Sequence, residues 1–204
     1  MQTPDWINDA ASGLAQESWY HGERVVDSSL VSKLHKWMEE KDHQGAFKPA
    51  GVGKGARHQN NETIRRDRIL WLPDELTDEV VSELFVLIEA MRVAFNRDLY
   101  AGLESFEGHF AIYPPGGFYK RHVDTFRDDD ARRISFVLYL NKSWKPRQGG
   151  ELRLYLEGDR EAVIAPQAGS VVLFDSRKFP HEVLPSEAER RSFTGWFKVR
   201  GSSA

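Results

Sequence analysis

Hydrophobic residues recur at two different spacings along this chain, and the change comes near residue 105. In the first half they return every three or four positions, the spacing that lines up side chains on one face of a helix. Leu30, Val31, Leu34, Trp37 and Met38 make one such stripe behind the cap candidates Asp27 and Ser28. They predict an amphipathic helix from Asp27 to about residue 40. Leu76, Val80, Leu84, Leu87, Ile88, Met91, Phe95 and Leu99 predict a longer helix over 75–100, ended by Gly102. Weaker spacing at Trp6, Ile7 and Leu14 predicts a short helix or arm over 1–20, with Asp5 or Asn8 as its cap. His35 lies off its stripe and is expected in solvent.

After Glu107 the period falls towards two, the signature of strands. Predicted strands are Phe110–Tyr113, one carrying His122, Ile134–Leu140, Glu151–Tyr155, Ala162–Ile164, Ser170–Phe174, Glu182–Leu184 and Ser192–Val199. Ile69–Leu72 reads as a further short strand or buried turn. Gly- and Pro-rich turns separate the strands, among them Pro114–Gly117 and Gln148–Gly150. Long helices followed by about eight short strands predict an α+β fold dominated by β. Its core is a double-stranded β-helix, or jelly roll, with N-terminal helices packed on one sheet. One domain over 1–204 is expected, with 1–105 mainly helical support and substrate loop and 106–199 the jelly-roll core.

Composition narrows the chemistry. The chain has no cysteine, so a bound metal must use His, Asp or Glu. No apolar run approaches the roughly 18 residues of a membrane span. The N-terminus lacks the basic start and apolar segment of a secretory signal, so a cytoplasmic protein is expected. With 28 basic and 31 acidic residues the net charge is −3, which argues against a chain-wide nucleic-acid surface. One stretch departs from this balance: residues 46–68 hold six basic and two acidic side chains around Gly51, Gly53 and Gly55. Such a segment is either a functional arm that orders over a partner or a flexible loop.

The candidate chemistry lies in Tyr113-Pro-Pro-Gly-Gly-Phe-Tyr-Lys-Arg-His-Val-Asp124. His122 and Asp124 are two apart, so on a strand both face the same way. His181, 59 positions beyond His122, can supply a third ligand from a neighbouring strand. Two histidines and one carboxylate on one face form the facial triad of non-haem Fe(II) oxygenases. Further along, alternation puts Arg190, Ser192, Thr194 and Trp196 on one strand face and Arg191, Phe193, Phe197 and Val199 on the other. Alternation alone does not say which face meets a pocket.

The run from Tyr113 to Asp124, with Val137–Trp144, Gly149–Tyr155 and His181–Pro185 through Arg190 to Trp196, resembles the prolyl hydroxylase domain family of Fe(II)- and 2-oxoglutarate-dependent oxygenases. Arg65-Arg-Asp-Arg-Ile-Leu-Trp71 is similar to the branch containing the animal oxygen-sensing enzymes. The resemblance covers about residues 46–199. It implies Fe(II) held by His122, Asp124 and His181, with 2-oxoglutarate and O₂ as co-substrates and ascorbate as a stimulant. It also implies Arg190 as the anchor of the distal carboxylate of 2-oxoglutarate, with Tyr139, Tyr113 and Thr194 around it. Trp71 and Arg132 match substrate-side positions. His109 shares the strand face of Tyr113, which leaves it either to line the pocket or, as expected, to be a satisfied core histidine.

The acceptor implied is a prolyl residue in a protein, elongation factor Tu being one candidate, with succinate and CO₂ as co-products. Other readings stand beside it: a 2-oxoglutarate oxygenase of a small molecule or nucleic acid, a zinc hydrolase, or a lectin-like binding module.

Overall fold

The computed structural model describes residues 4–51, 61–72, 78–125 and 131–200. Its first helix, α1 (Asp5–Glu17), buries Ile7, Ala10, Ala11 and Leu14, one stripe at helical spacing. Neither Asp5 nor Asn8 caps it; Pro4 holds the N-cap position, where a missing N–H costs nothing, and makes no side-chain bond. Helix α2 (Ser28–His43) starts as its sequence predicts, with the Asp27 carboxylate accepting from the Ser29 and Leu30 amides at 2.9 and 3.2 Å. It runs three residues past the expected end. Helix α3 (Glu79–Leu99) begins behind Asp78, which caps Val80 and Val81; Pro73 and the expected starting turn at 75–77 lie outside the described residues. The helix stops at Tyr100, which takes a left-handed conformation two residues before Gly102.

Eleven strands form two antiparallel sheets among the described residues. The larger has the order β1 (Trp19–Gly22), β9 (Val171–Asp175), β6 (Arg132–Tyr139), β11 (Arg190–Lys198), β4 (Ser105–Tyr113), β3 (Arg68–Trp71), β2 (Lys48–Pro49). The smaller runs β5 (Tyr119–His122), β10 (His181–Val183), β7 (Leu152–Tyr155), β8 (Glu161–Ile164). Strands β4 to β11 pair in nested fashion: β4 with β11, β5 with β10, β6 with β9 and β7 with β8. That nesting is the expected jelly roll. Strands β1 and β2 were not anticipated. β1 adds an edge to β9 through residues read as a helix or arm, and β2 lies within the basic segment 46–68. Residues 52–60 of that segment lie outside the described residues. Residues 61–66 are held against the metal-side sheet by Arg66 N–H to Phe118 O and Lys120 N–H to Ile64 O, both 2.9 Å.

Alternation in the larger sheet separates two cores. Phe193, Phe197, Phe110, Ile112, Phe136 and Leu138 face the helices and pack with Leu34, Met38, Leu84, Met91 and Phe95. Their neighbours Ala111, Tyr113, Val137 and Tyr139 face the smaller sheet and pack with Leu152, Leu154, Phe174 and Val183. The phenylalanines of β11 thus bury themselves under the helices, which leaves its other face to line the space between the sheets. His35 is not in solvent as expected. Its Nδ1 donates to the Leu140 carbonyl at 2.7 Å and its Nε2 lies 3.3 Å from Glu39, tying α2 to the end of β6. A carbonyl beyond the β6 terminus, not a periodic position, recruits this side chain, so the stripe did not reveal it.

Candidate active site

A cavity of about 280 Å³ opens between the sheets, and its wall contains both histidines, Asp124, Arg190, Trp71, Arg132 and His109. His122 ends β5 directly opposite His181 on β10, and their ring centroids are 4.3 Å apart. Asp124 does not continue the strand, as the two-residue spacing had suggested. The chain leaves β5 at Val123 and bends, bringing the carboxylate back under the histidines. Asp124 Oδ1 stands 3.6 Å from His122 Nε2 and 3.5 Å from His181 Nε2.

Each ligand is oriented from behind. His122 Nδ1 donates to the Lys120 carbonyl at 2.7 Å, and His181 Nδ1 to the Phe179 carbonyl at 3.0 Å. A carbonyl only accepts, so both Nδ1 atoms carry the proton and both Nε2 lone pairs point at the same space. Asp124 Oδ2 accepts from Ser135 Oγ at 2.6 Å, and Ser176 Oγ is 2.9 Å behind that hydroxyl. Burial pushes the Asp124 carboxyl up, but the two imidazoles outweigh it and hold it well below the usual carboxylate range. Burial and then His181 lower His122; for His181 burial acts downward and is outweighed by the Asp124 carboxylate, so its pKa is raised.

Does this group fit a metal? One donor atom from each of the three residues lies within 4.8 Å of the others. Bonds of about 2.0–2.2 Å to a common ion require neighbouring donors roughly 3 Å apart, and the Asp124 oxygen already lies 3.6 and 3.5 Å from the two imidazole nitrogens. Two neutral nitrogens, one carboxylate and an open cavity side suit Fe(II) with vacant positions for further ligands.

Arg190 lies in register with Tyr113 and is 2% exposed. Its Nε donates to the Gly150 carbonyl at 2.8 Å and its Nη1 to Ser192 Oγ at 3.1 Å. No carboxylate among the described residues pairs with it. Gly150 sits at φ +67°, and a Cβ there would approach Arg190 Cδ to 3.2 Å, so the predicted Gly-Gly turn also makes the bed for this guanidinium. The guanidinium carbon is 4.8 Å from the Tyr113 ring centre and 5.2 Å from that of Tyr139. Among the described residues the buried Tyr139 Oη has no hydrogen-bond partner, and burial pushes the hydroxyl up to about 12 against the pull of Arg190. A buried, uncompensated cation beside an unused hydroxyl donor fits a carboxylate. Thr194 lines the same wall, while Arg191 turns away to Glu189 and Glu39.

Towards the mouth, Trp71 is 48% exposed. Arg132 lies 3.5 Å over the Trp196 ring, donates to Glu107 Oε1 at 2.7 Å, and reaches the Asp124 carbonyl at 3.1 Å. Of the two readings of His109, the structure bears out the lesser: it lines the cavity, and among the described residues its buried Nδ1 has no partner.

Several site residues escaped the sequence reading. Tyr119 stacks on His122 with centroids 3.6 Å apart, and Arg65 lies 4.3 Å over Tyr119 while forming a two-pronged pair with Asp67 at 2.7 and 2.6 Å. Both stretches had been noted as motifs, but nothing in a one-dimensional pattern shows that residue 65 meets residue 119. Ser135 shares the strand face of Tyr139, but its bond to Asp124 needs the bend after β5.

Fold and site together define a non-haem Fe(II) dioxygenase that uses 2-oxoglutarate. Residues 108–198 match the model of the 2OG-Fe(II) oxygenase superfamily. Human prolyl hydroxylase EGLN3 is 37% identical over 185 residues, spanning 86% of this chain and 74% of that protein. A prolyl-4-hydroxylase crystal structure from Pseudomonas putida superposes with a TM-score of 0.87 at 42% identity, covering 96% of this chain and 100% of the other. A Trichoplax adhaerens prolyl hydroxylase, solved with a peptide fragment of the hypoxia-inducible factor oxygen degradation domain, gives 0.86 at 27% identity over 96% and 90%. The chain belongs to the prolyl hydroxylase branch of this superfamily, whose members require Fe(II), 2-oxoglutarate and O₂. No helix among the described residues is long and apolar enough to cross a membrane.

Proposed function

We propose that this chain, acting as one dioxygenase domain, hydroxylates a prolyl residue of a cytoplasmic protein, with elongation factor Tu as the first candidate. Each turnover consumes O₂ and 2-oxoglutarate, places one oxygen atom on the acceptor and one in succinate, and releases CO₂. The carrying observation is the polarity of the cavity. One end has a buried guanidinium with no carboxylate partner among the described residues, the other has two aimed imidazoles and a carboxylate, and the mouth is aromatic.

In this reading His122, Asp124 and His181 bind Fe(II), which when bound supplies the O₂ activation. Arg190 takes the distal carboxylate of 2-oxoglutarate through its planar fork, and Tyr139 Oη adds a donor. Tyr113 borders the co-substrate level with Arg190, while Thr194 lines the cavity four residues further along β11. Trp71 and Arg132 receive the acceptor, Arg132 held in place by Glu107 and the Trp196 ring. The peptide-bound Trichoplax relative supports a protein acceptor over a small molecule or nucleic acid.

The test is a cell lysate treated with enzyme, Fe(II) and 2-oxoglutarate, with proteins surveyed for a 16 Da gain at proline. His122→Ala and Asp124→Ala serve as controls, and oligonucleotides are tested in parallel. Gain on proline in elongation factor Tu, absent with both variants, is expected. Gain on nucleic acid, or on no protein despite succinate release, overturns the reading.

A further inference from the structure

On β4, three residues with the same facing run outward from the co-substrate end: Tyr113, Ala111 and His109. Tyr113 is level with Arg190, while His109 is level with Thr194, four residues or about 13 Å further along the strand. His109 is therefore out of reach of the carboxylate held at Arg190. Instead it is flanked by two rings of the cavity mouth, Trp71 at 4.8 Å and Trp196 at 5.5 Å. His109 is buried, 5% exposed, yet among the described residues no group satisfies its Nδ1. A buried polar atom without a partner destabilises a fold unless something else supplies the bond.

We propose that His109 is a specificity-determining residue of the acceptor pocket, its ring hydrogen-bonding a main-chain peptide group beside the target proline. The proposal rests on the prolyl reading above and deepens it. Burial, reinforced by Arg65 and Arg132, lowers the His109 pKa to about 3, so the ring is uncharged at neutral pH. An uncharged imidazole offers one donor and one acceptor, which complements a peptide group and gives no preference for a charged one. Rotation about Cβ–Cγ exchanges the nitrogen that faces the cavity, so either half of the peptide group can be met. Trp71, half exposed at the mouth, then offers its ring face to the flat peptide unit and the proline ring.

The probe is N-acetylproline N-methylamide, a proline between two peptide groups, added to enzyme loaded with Zn(II) and 2-oxoglutarate so that no turnover occurs. Binding is read from tryptophan fluorescence and from the imidazole ¹⁵N shifts of His109. Wild type is expected to bind, with a ring nitrogen shifting. His109→Met should weaken the probe roughly five- to tenfold while the 2-oxoglutarate Kd changes less than twofold. His109→Asn, which keeps a donor and an acceptor, should recover part of the loss. Probe binding that His109→Met retains, or an equal loss of 2-oxoglutarate affinity, overturns the role of His109 alone. No probe binding by wild type overturns both this contact and the prolyl reading.

Discussion

Ser135 Oγ donates to Asp124 Oδ2 across 2.6 Å, and this bond decides which carboxylate oxygen faces the two histidines. Ser135 sits on β6 in register with Trp196, so the larger sheet positions a ligand that chain order assigns to the smaller one. Ser135→Ala should keep the fold but release the carboxylate to rotate, weakening Fe(II) binding about 10- to 100-fold, as loss of an orienting partner does elsewhere. Titration with Co(II), followed by its visible absorption, measures this directly. Unchanged affinity would mean the bend after β5 holds Asp124 unaided.

Arg190 and Arg191 are adjacent in the chain and opposite in environment. Arg190→Ala removes the buried cation that has no carboxylate partner, and should weaken 2-oxoglutarate by at least about 100-fold, the scale of a lost charge-assisted pair. Arg191→Ala removes ion pairs with Glu189 and Glu39, on the face away from the cavity, and should change it less than twofold. Ligand-induced stabilisation gives a second readout: wild type at 100 times Kd should gain about 2.7 kcal/mol, and Arg190→Ala almost nothing at the same concentration. Equal effects of the two substitutions would place the pocket on the wrong face of β11.

The strands, their nesting and the metal group were legible because they depend on short-range periodicity and on the few residue types that bind iron. Alternation left the two faces of β11 open and the resemblance chose the Arg190 face; the helices supply the physical reason, since the phenylalanines needed a core of their own. Contacts made where periodicity stops stayed hidden: the bend that returns Asp124, the carbonyl that draws in His35, and the pairing of β1 with β9. His109 shows the same limit from the other side. Alternation assigned its face correctly, but only the cavity reveals that its nitrogen lacks a partner.

Asp67 and Arg65 form a buried pair, their side chains 0% and 10% exposed, and Arg65 in turn covers Tyr119 on His122. Asp67→Ala strands the guanidinium. The expected cost is about 3–5 kcal/mol, or roughly 10 °C in Tm for a chain of this length. Replacing both partners, Arg65→Met with Asp67→Leu, should recover most of that, because the desolvation penalty goes with the charges. Thermal denaturation of the apoprotein settles it; a double variant no more stable than the single would show that the pair has a role beyond neutralising itself.

The His109 ring also makes a prediction about acid. Its pKa falls from the ordinary 6.5 to about 3 in the fold, chiefly through burial, so the folded protein binds this proton less readily than the unfolded chain. Stability from keeping the ring neutral is therefore fully present above about pH 6.5 and is lost as pH falls from there towards 3. His122, His181 and Asp124 titrate too, but they are common to wild type and variant, so the difference between the two isolates residue 109. Urea denaturation of metal-free wild type and His109→Met at intervals from pH 7.5 to 4.5 should show wild type losing stability relative to the variant as pH falls, wild type having the steeper dependence. Parallel curves would mean that the ring is protonated inside the fold, and with that the neutral donor–acceptor pair at the cavity wall would be lost.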